Sequence, residues 1–262
     1  MKKYITLLIC VLMILAPCNL SAMENNSISI TILYDNYIFK EGLKAEWGFS
    51  CLIEVTEKTI LFDTGRTKDI FYHNFERIKP NLNDVRQVVI SHNHSDHTGN
   101  IFNFLADYPK VTVYLPASFP KPFVDKITAT TANTIAVDEP VEICKDVFLT
   151  GEMDSPIIEE QSLIINTDKG ASVITGCSHP GIVNIVKKAE EIVPKDVYLI
   201  IGGLHLMNNS DDGIKMIINQ LKNLGVQKVG ATHCTGDRAI ALFKQAYGEN
   251  YIEMGVGKVF KF

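Results

Sequence analysis

The amino-acid sequence predicts a mixed α/β domain, and three observations carry that class. Short runs rich in β-branched and aromatic residues dominate the first third, strand and helix patterns alternate afterwards, and 262 residues, 46% hydrophobic and 21% charged, suffice for one substantial core.

Residues 28–34, 49–55 and 59–62 are short, apolar and bounded by polar turns, which predicts an opening antiparallel set. The spacing of Ile70, Phe71, Phe75 and Ile78 predicts a helix over 67–78, and the run 85–90, apolar apart from Arg86 and Gln87, is short enough for a buried strand. Residues 117–131, with Pro120, Pro122 and a Thr-rich end, predict a long exposed loop of the kind that serves as a lid. Segments 162–166 and 171–175 predict a hairpin. Helix 182–192, strand 197–201, helix 211–223, strand 229–232 and helix 238–247 then alternate to the end. No repeat, low-complexity tract or linker divides the chain.

The amino terminus follows different rules. Lys2 and Lys3, the apolar run from Ile5 to Leu15, Pro17, and the small residues Ser21 and Ala22 have the order of a secretory signal. The expectation is a signal peptide over 1–22, a mature domain over 23–262, and a periplasmic or secreted location without stable membrane contact after cleavage. The run is short for a bilayer span, so a membrane anchor or a buried first helix is the lesser reading. Leu15-Ala16-Pro17-Cys18 faintly resembles a lipoprotein box, which makes lipid anchoring another minor alternative.

Loss of Lys2 and Lys3 takes the net charge from −5 to −7, and no basic run interrupts the sequence, so nucleic acid is not expected as a partner. Cys51, Cys144, Cys177 and Cys234 survive cleavage, with pairing permitted but not required outside the cytoplasm.

The chemistry concentrates in Ser91-His92-Asn93-His94-Ser95-Asp96-His97-Thr98-Gly99-Asn100, where three of seven histidines fall within six residues. Residues two apart in extended backbone share a face, so His92 and His94 can present imidazoles to one ion, and the following turn brings Asp96 and His97 toward a second. Imidazole and carboxylate suit zinc, with iron or manganese compatible. A surface histidine cluster with adventitious affinity is the bland alternative, disfavoured because this one follows a buried strand. His179, His205 and His233 each end a predicted strand, and in an open α/β sheet such ends face one crevice. Only His73 lies outside this pattern.

These residues, with Ile60-Leu61-Phe62-Asp63-Thr64-Gly65, resemble the metallo-β-lactamase superfamily over nearly the whole mature chain. Thr175-Gly176-Cys177-Ser178-His179-Pro180-Gly181, Gly202-Gly203-Leu204-His205-Leu206 and Thr232-His233-Cys234-Thr235-Gly236 are similar to its dihydropterin ribofuranosylaminobenzene phosphate synthase subfamily. The resemblance implies a four-layer αβ/βα sandwich with a binuclear site at the mouth between two sheets. His92 and His94 would then bind one ion, Asp96 and His97 the other, with His179 and His233 completing the set. Relatives commonly place an acidic ligand where this chain has Cys177, so the bridging ligand is left open among His179, Cys177 and His205.

The expected cofactors are therefore two divalent transition-metal ions, zinc first. Two such ions activate a water against an ester, phosphoester or amide. Helices beginning beside the motifs, after Asn100, Gly181 and Gly236, favour an anionic small-molecule substrate carrying phosphate or carboxylate, although ordinary capping explains many such residues.

Asp96 is expected to hold an ion and orient the attacking water. His205, surplus to six ligands, is expected to transfer a proton or contact the substrate. Asp63 reads as an acceptor orienting a ligand histidine or as a turn residue. Trp47 reads as a pocket wall or core, and Cys177 and Cys234 as inert thiols, a disulfide or soft ligands. The function expected is an exported binuclear hydrolase. The alternatives are a synthase-like transferase of the dihydropterin subfamily, whose substrates conflict with export, and a non-catalytic metal-binding protein on the same fold.

Overall fold

A computed structural model describes residues 28–55, 58–80, 84–130 and 132–261. The expected signal peptide over 1–22 lies outside the described residues. The first half forms strands β1 (Ser29–Tyr34), β2 (Ser50–Glu54), β3 (Thr59–Phe62), β4 (Val85–Val89), β5 (Thr112–Pro116) and β6 (Asn133–Val137). Helices α1 (Lys68–Ile78), α2 (Ser95–Thr98), α3 (Ile101–Asp107) and α4 (Lys121–Thr128) lie between them. The second half forms β7 (Val141–Cys144), β8 (Val147–Leu149), β9 (Leu163–Thr167), β10 (Gly170–Thr175), β11 (Val197–Gly203), β12 (Lys228–Thr232) and β13 (Val259–Lys261). Helices α5 (Ile182–Ile192), α6 (Asp211–Asn223) and α7 (Asp237–Tyr247) complete it.

One sheet has the order β13-β1-β2-β3-β4-β5-β6, and the other β12-β11-β10-β9-β8-β7. β1, β2 and β3 pair antiparallel, as their patterns predict, and β3 through β6 run parallel. β9 and β10 form the predicted hairpin, and β10, β11 and β12 are parallel.

The period of two along a strand sorts its side chains between two cores. Phe62, Val89 and Ile201 enter the core between the sheets, with Leu163 and Ile174. Their neighbours Leu61 and Val88 face outward instead, against Phe71 of α1, Phe104 of α3 and Ile127 of α4. Ile200 packs with Ile185, Ile214 and Phe243 from α5, α6 and α7. β4 is buried on both faces through Val88 and Val89, and of its five residues Arg86 alone is exposed. The result is helices, sheet, sheet, helices: the four-layer αβ/βα sandwich.

One expectation is corrected. Residues 117–131 are not a long loop, because Lys121–Thr128 is helical, with Pro120 at its N-cap and Pro122 in its first turn. Proline there costs no hydrogen bond and presets the helical backbone, so the two prolines mark a helix start.

Candidate metal centre

Strand ends from both sheets build one crevice. β4 ends at Val89, and the chain stays extended to His94, which is the N-cap of α2. His92 and His94 therefore share a side, while Asp96 and His97 sit on the single turn of α2. His179, His205 and His233 follow β10, β11 and β12. Of six non-glycine residues with positive φ among those described, four lie at these strand ends: Asp63, Ser178, His205 and His233. Left-handed backbone at such residues is costly and persists where the surroundings impose it.

The donors fall into sets. Ligand atoms of His92, His94 and His179 lie within 4.8 Å of one another, as do those of Asp96, His97 and His233. His92 Nε2 faces His94 Nδ1 at 3.1 Å, and His97 Nε2 faces His233 Nε2 at 3.2 Å. Two 2.0–2.1 Å bonds meeting at a tetrahedral ion separate their donors by about 3.3 Å, so these spacings fit zinc-sized ions. Asp96 Oδ2 stands 3.3 Å from His233 Nε2 and 3.6 Å from His97 Nε2.

The outward-facing nitrogens are tied down. His97 Nδ1 donates to Asp63 Oδ2 at 2.7 Å, His179 Nδ1 to Glu160 Oε2 at 2.8 Å, and His233 Nδ1 to Asn36 Oδ1 at 3.0 Å. Ser91 Oγ gives its proton to Asp63 Oδ2, so His92 Nδ1 must donate to Ser91 Oγ, 2.9 Å away. In its neutral form each of the four rings thus has Nε2 left as a lone-pair donor, which is how outer partners prepare a metal-binding imidazole.

Charge follows the same geometry. Burial pushes His92 well below the ordinary imidazole range, aided by His97, and burial also lowers His94. Burial opposes charge on His97, but Asp63 outweighs it and raises His97 to about 9. Burial would raise Glu160 and Asp96, yet the histidines around each, His92 and His179 for one and His233 and His97 for the other, hold both below the carboxylate range. Burial raises Asp63 despite its histidine partner. In the metal-free chain the His97–Asp63 pair therefore carries a proton that an ion would displace.

His205 packs ring to ring with His179 at 4.6 Å, and its ligand nitrogen lies within 4.8 Å of the thiols of Cys177 and Cys234. None of the four described cysteines is in a disulfide. Trp47 is 39% exposed with its ring 5.0 Å from that of His233, which makes it a wall of the crevice. His73 is on α1, its Nε2 3.2 Å from Gly42 O.

Sequence reasoning missed Glu160 and Asn36. Glu160 accepts from the backbone N–H of Cys177, Ser178 and His179 as well as from the His179 ring, so it shapes the whole turn after β10. It lies outside every motif, and nothing before the pairing of β9 with β10 brings it to Thr175. Asn36 likewise reaches His233 across 197 residues of chain.

Residues 48–152 match the metallo-beta-lactamase superfamily profile. The chain is 29% identical to the 7,8-dihydropterin-6-methyl-4-(beta-D-ribofuranosyl)-aminobenzene-5'-phosphate synthase of Methanocaldococcus jannaschii, over 93% of this chain and 99% of that one. It is also 29% identical to the crystal structure of Tm1679, a metal-dependent hydrolase of the beta-lactamase superfamily, covering 89% of this chain and 98% of that one with a TM-score of 0.75. The metallo-beta-lactamase fold protein YhfI from Bacillus subtilis shares the fold at a TM-score of 0.66, with 16% identity over 90% of this chain and all of that one. By fold, matched region and histidine motif, the chain is similar to the metallo-beta-lactamase superfamily and has its fold.

Proposed function

We propose that the protein is a metal-dependent hydrolase with two divalent ions at the mouth between its sheets, acting on an anionic small molecule. The observation that carries this reading is the inward convergence of five imidazoles and a carboxylate, four of the rings fixed by outer hydrogen bonds. His92, His94 and His179 would hold one ion and Asp96, His97 and His233 the other. Zinc suits this donor set, and iron and manganese are compatible. Ions held there would supply Lewis-acid polarisation of an ester, phosphoester or amide oxygen and would bring the pKa of bound water toward neutrality.

The chain's own groups do the rest. Asp96 stays ionised beside His233 and His97, so it can anchor an ion and accept a hydrogen bond from water with its other oxygen. The first turn of α5, which begins three residues beyond His179, has no side-chain cap and no acidic residue, which suits a phosphate or carboxylate on the substrate. Trp47 offers that substrate an apolar wall.

A second reading is favoured by one observation, the near full-length likeness to a synthase of a phosphate-bearing product. In that reading the same crevice carries group transfer. Export through residues 1–22 is part of the proposal, and fractionation of cells expressing the full chain, with the protein recovered outside the cytoplasm and shortened, supports it. Retention at full length in the cytoplasm overturns export and favours the synthase reading.

The test of the chemistry is a screen of the zinc-loaded chain against phosphodiesters, phosphomonoesters, lactones and β-lactams, with Asp96→Asn beside it. Hydrolysis of one class, lowered in Asp96→Asn by roughly 10²-fold or more with the circular dichroism spectrum unchanged, supports the reading. No turnover of any class by a fully loaded protein contradicts it. Loss of folding in Asp96→Asn without metal dependence would make Asp96 a cap of α2 instead.

A further inference from the structure

The six groups above leave one donor set unused. Cys177, His205 and Cys234 present ligand atoms within 4.8 Å of one another, drawn from the ends of β10, β11 and β12. Both thiols are nearly inaccessible, at 3% and 2% exposure, and neither is in a disulfide.

We propose that Cys177, Cys234 and His205 form a third metal position, selective for a thiophilic ion such as zinc, cadmium or copper(I), beside the two histidine-rich sets. The thiols would pass their protons to solvent as the ion binds, giving two thiolates and one neutral imidazole. Three such donors leave a fourth coordination position open. Thiolate ligands select these ions over manganese or magnesium, which prefer oxygen.

Two further observations point the same way. Among the described residues, the Nδ1 atom of the half-buried His205 ring is itself buried and has no hydrogen-bond partner, a costly state for a ring nitrogen. The backbone is also built to bring the donors together. A Cβ at Gly203 would stand 2.6 Å from Cys234 Sγ, so only glycine lets β11 pass this close to the thiol. Gly203 N donates to Gly176 O at 3.1 Å, Ser178 Oγ to Gly203 O at 2.7 Å, and Leu204 N to Thr235 Oγ1 at 2.9 Å. These bonds tie the three strand ends to each other just where the donors leave them.

Cys177 also lies 3.3 Å from His97 Nε2 and belongs to a group with His92 and His97, whereas Cys234 belongs to the thiol set alone. Cys234 is therefore the decisive residue. In this assignment His205 is a ligand, in place of the proton-transfer role that its sequence position suggests.

The experiment strips the full chain with chelator under reductant and titrates it with cobalt(II), reading sulfur-to-cobalt charge transfer in the near ultraviolet, while parallel zinc loading is read by elemental analysis. The wild type should show the band and hold three zinc ions. Cys234→Ser should lose most of the band and one zinc, His205→Gln should lose one zinc, and His94→Ala should lose one zinc but keep the band. A wild type without the band overturns the proposal. So does a Cys234→Ser protein with an undiminished band, which would assign the thiolate to Cys177 in the His97 group. Should Cys234→Ser fail to fold, His205→Gln decides, and retention of three zinc ions there overturns the site. Turnover enters no readout, so failure of the hydrolase reading would leave this result standing.

Discussion

Glu160 shows how much a site of this kind depends on residues that never face its crevice. It is completely buried and accepts three backbone N–H groups together with the His179 ring. Glu160→Gln presents an amide N–H to donors that need acceptors, so unfolding free energy should fall by roughly 1–3 kcal/mol. Affinity for the ion on His92, His94 and His179 should weaken about 10–100-fold. Denaturant melts and zinc titration check both; unchanged affinity would leave Glu160 a turn organiser only.

His97 gives a pH prediction. Its folded pKa is raised to about 9, so in the metal-free chain its charged contact with Asp63 stabilises the fold fully below the ordinary imidazole value of about 6.5 and is lost as pH rises through about 9. An ion must displace that proton, so zinc affinity should rise with pH up to about 9. At about pH 7.5, zinc addition should release more protons from the wild type than from Asp63→Asn, by about one, in a weakly buffered solution. Equal release would mean that His97 is neutral before the ion arrives. The grouping of His92, His94, Asp96 and His97 was legible because they crowd into one motif. Glu160 and Asn36 were not, since each meets its histidine only through strand pairing.

Among the elements, the strand-to-helix boundaries carry the precision. A Cβ at Gly176 would stand 2.2 Å from Ser91 Oγ and 3.1 Å from Asp63 Oδ2. Gly176→Ala should therefore push Ser91 off its bonds to Asp63 and His92, cost roughly 1–3 kcal/mol as overpacking does, and reduce zinc content. Ile185, fully buried on α5 against the second sheet, makes the contrast. Ile185→Ala should cost roughly 2–5 kcal/mol as a cavity yet keep its zinc. Thermal melts with elemental analysis separate the two, and a zinc loss in Ile185→Ala as large as in Gly176→Ala would mean that the site simply follows global stability. Helices α5 and α6 were legible to the residue because each has one apolar face on a buried strand. The short strands β6 and β7 were not, because exposed positions such as Ile135 and Val141 carry no apolar alternation.

At the scale of the whole molecule, neither half holds a complete site. His92, His94, Asp96 and His97 follow β4 of one sheet, and His179 and His233 follow β10 and β12 of the other, so the core between the sheets sets the spacing of the donors. Strand and helix alternation alone gave only the α/β class. The pairing of the two sheets into four layers was legible through the likeness of the motifs to a family, because periodicity does not say which strand ends meet. The central claim is that these two halves together hold two ions. Elemental analysis of wild type and His94→Ala, stripped with chelator and reloaded with zinc, tests it most directly. At least two zinc ions per wild-type chain, with one fewer in His94→Ala, is the predicted result. A folded wild type that retains none after zinc, iron or manganese reloading would contradict it.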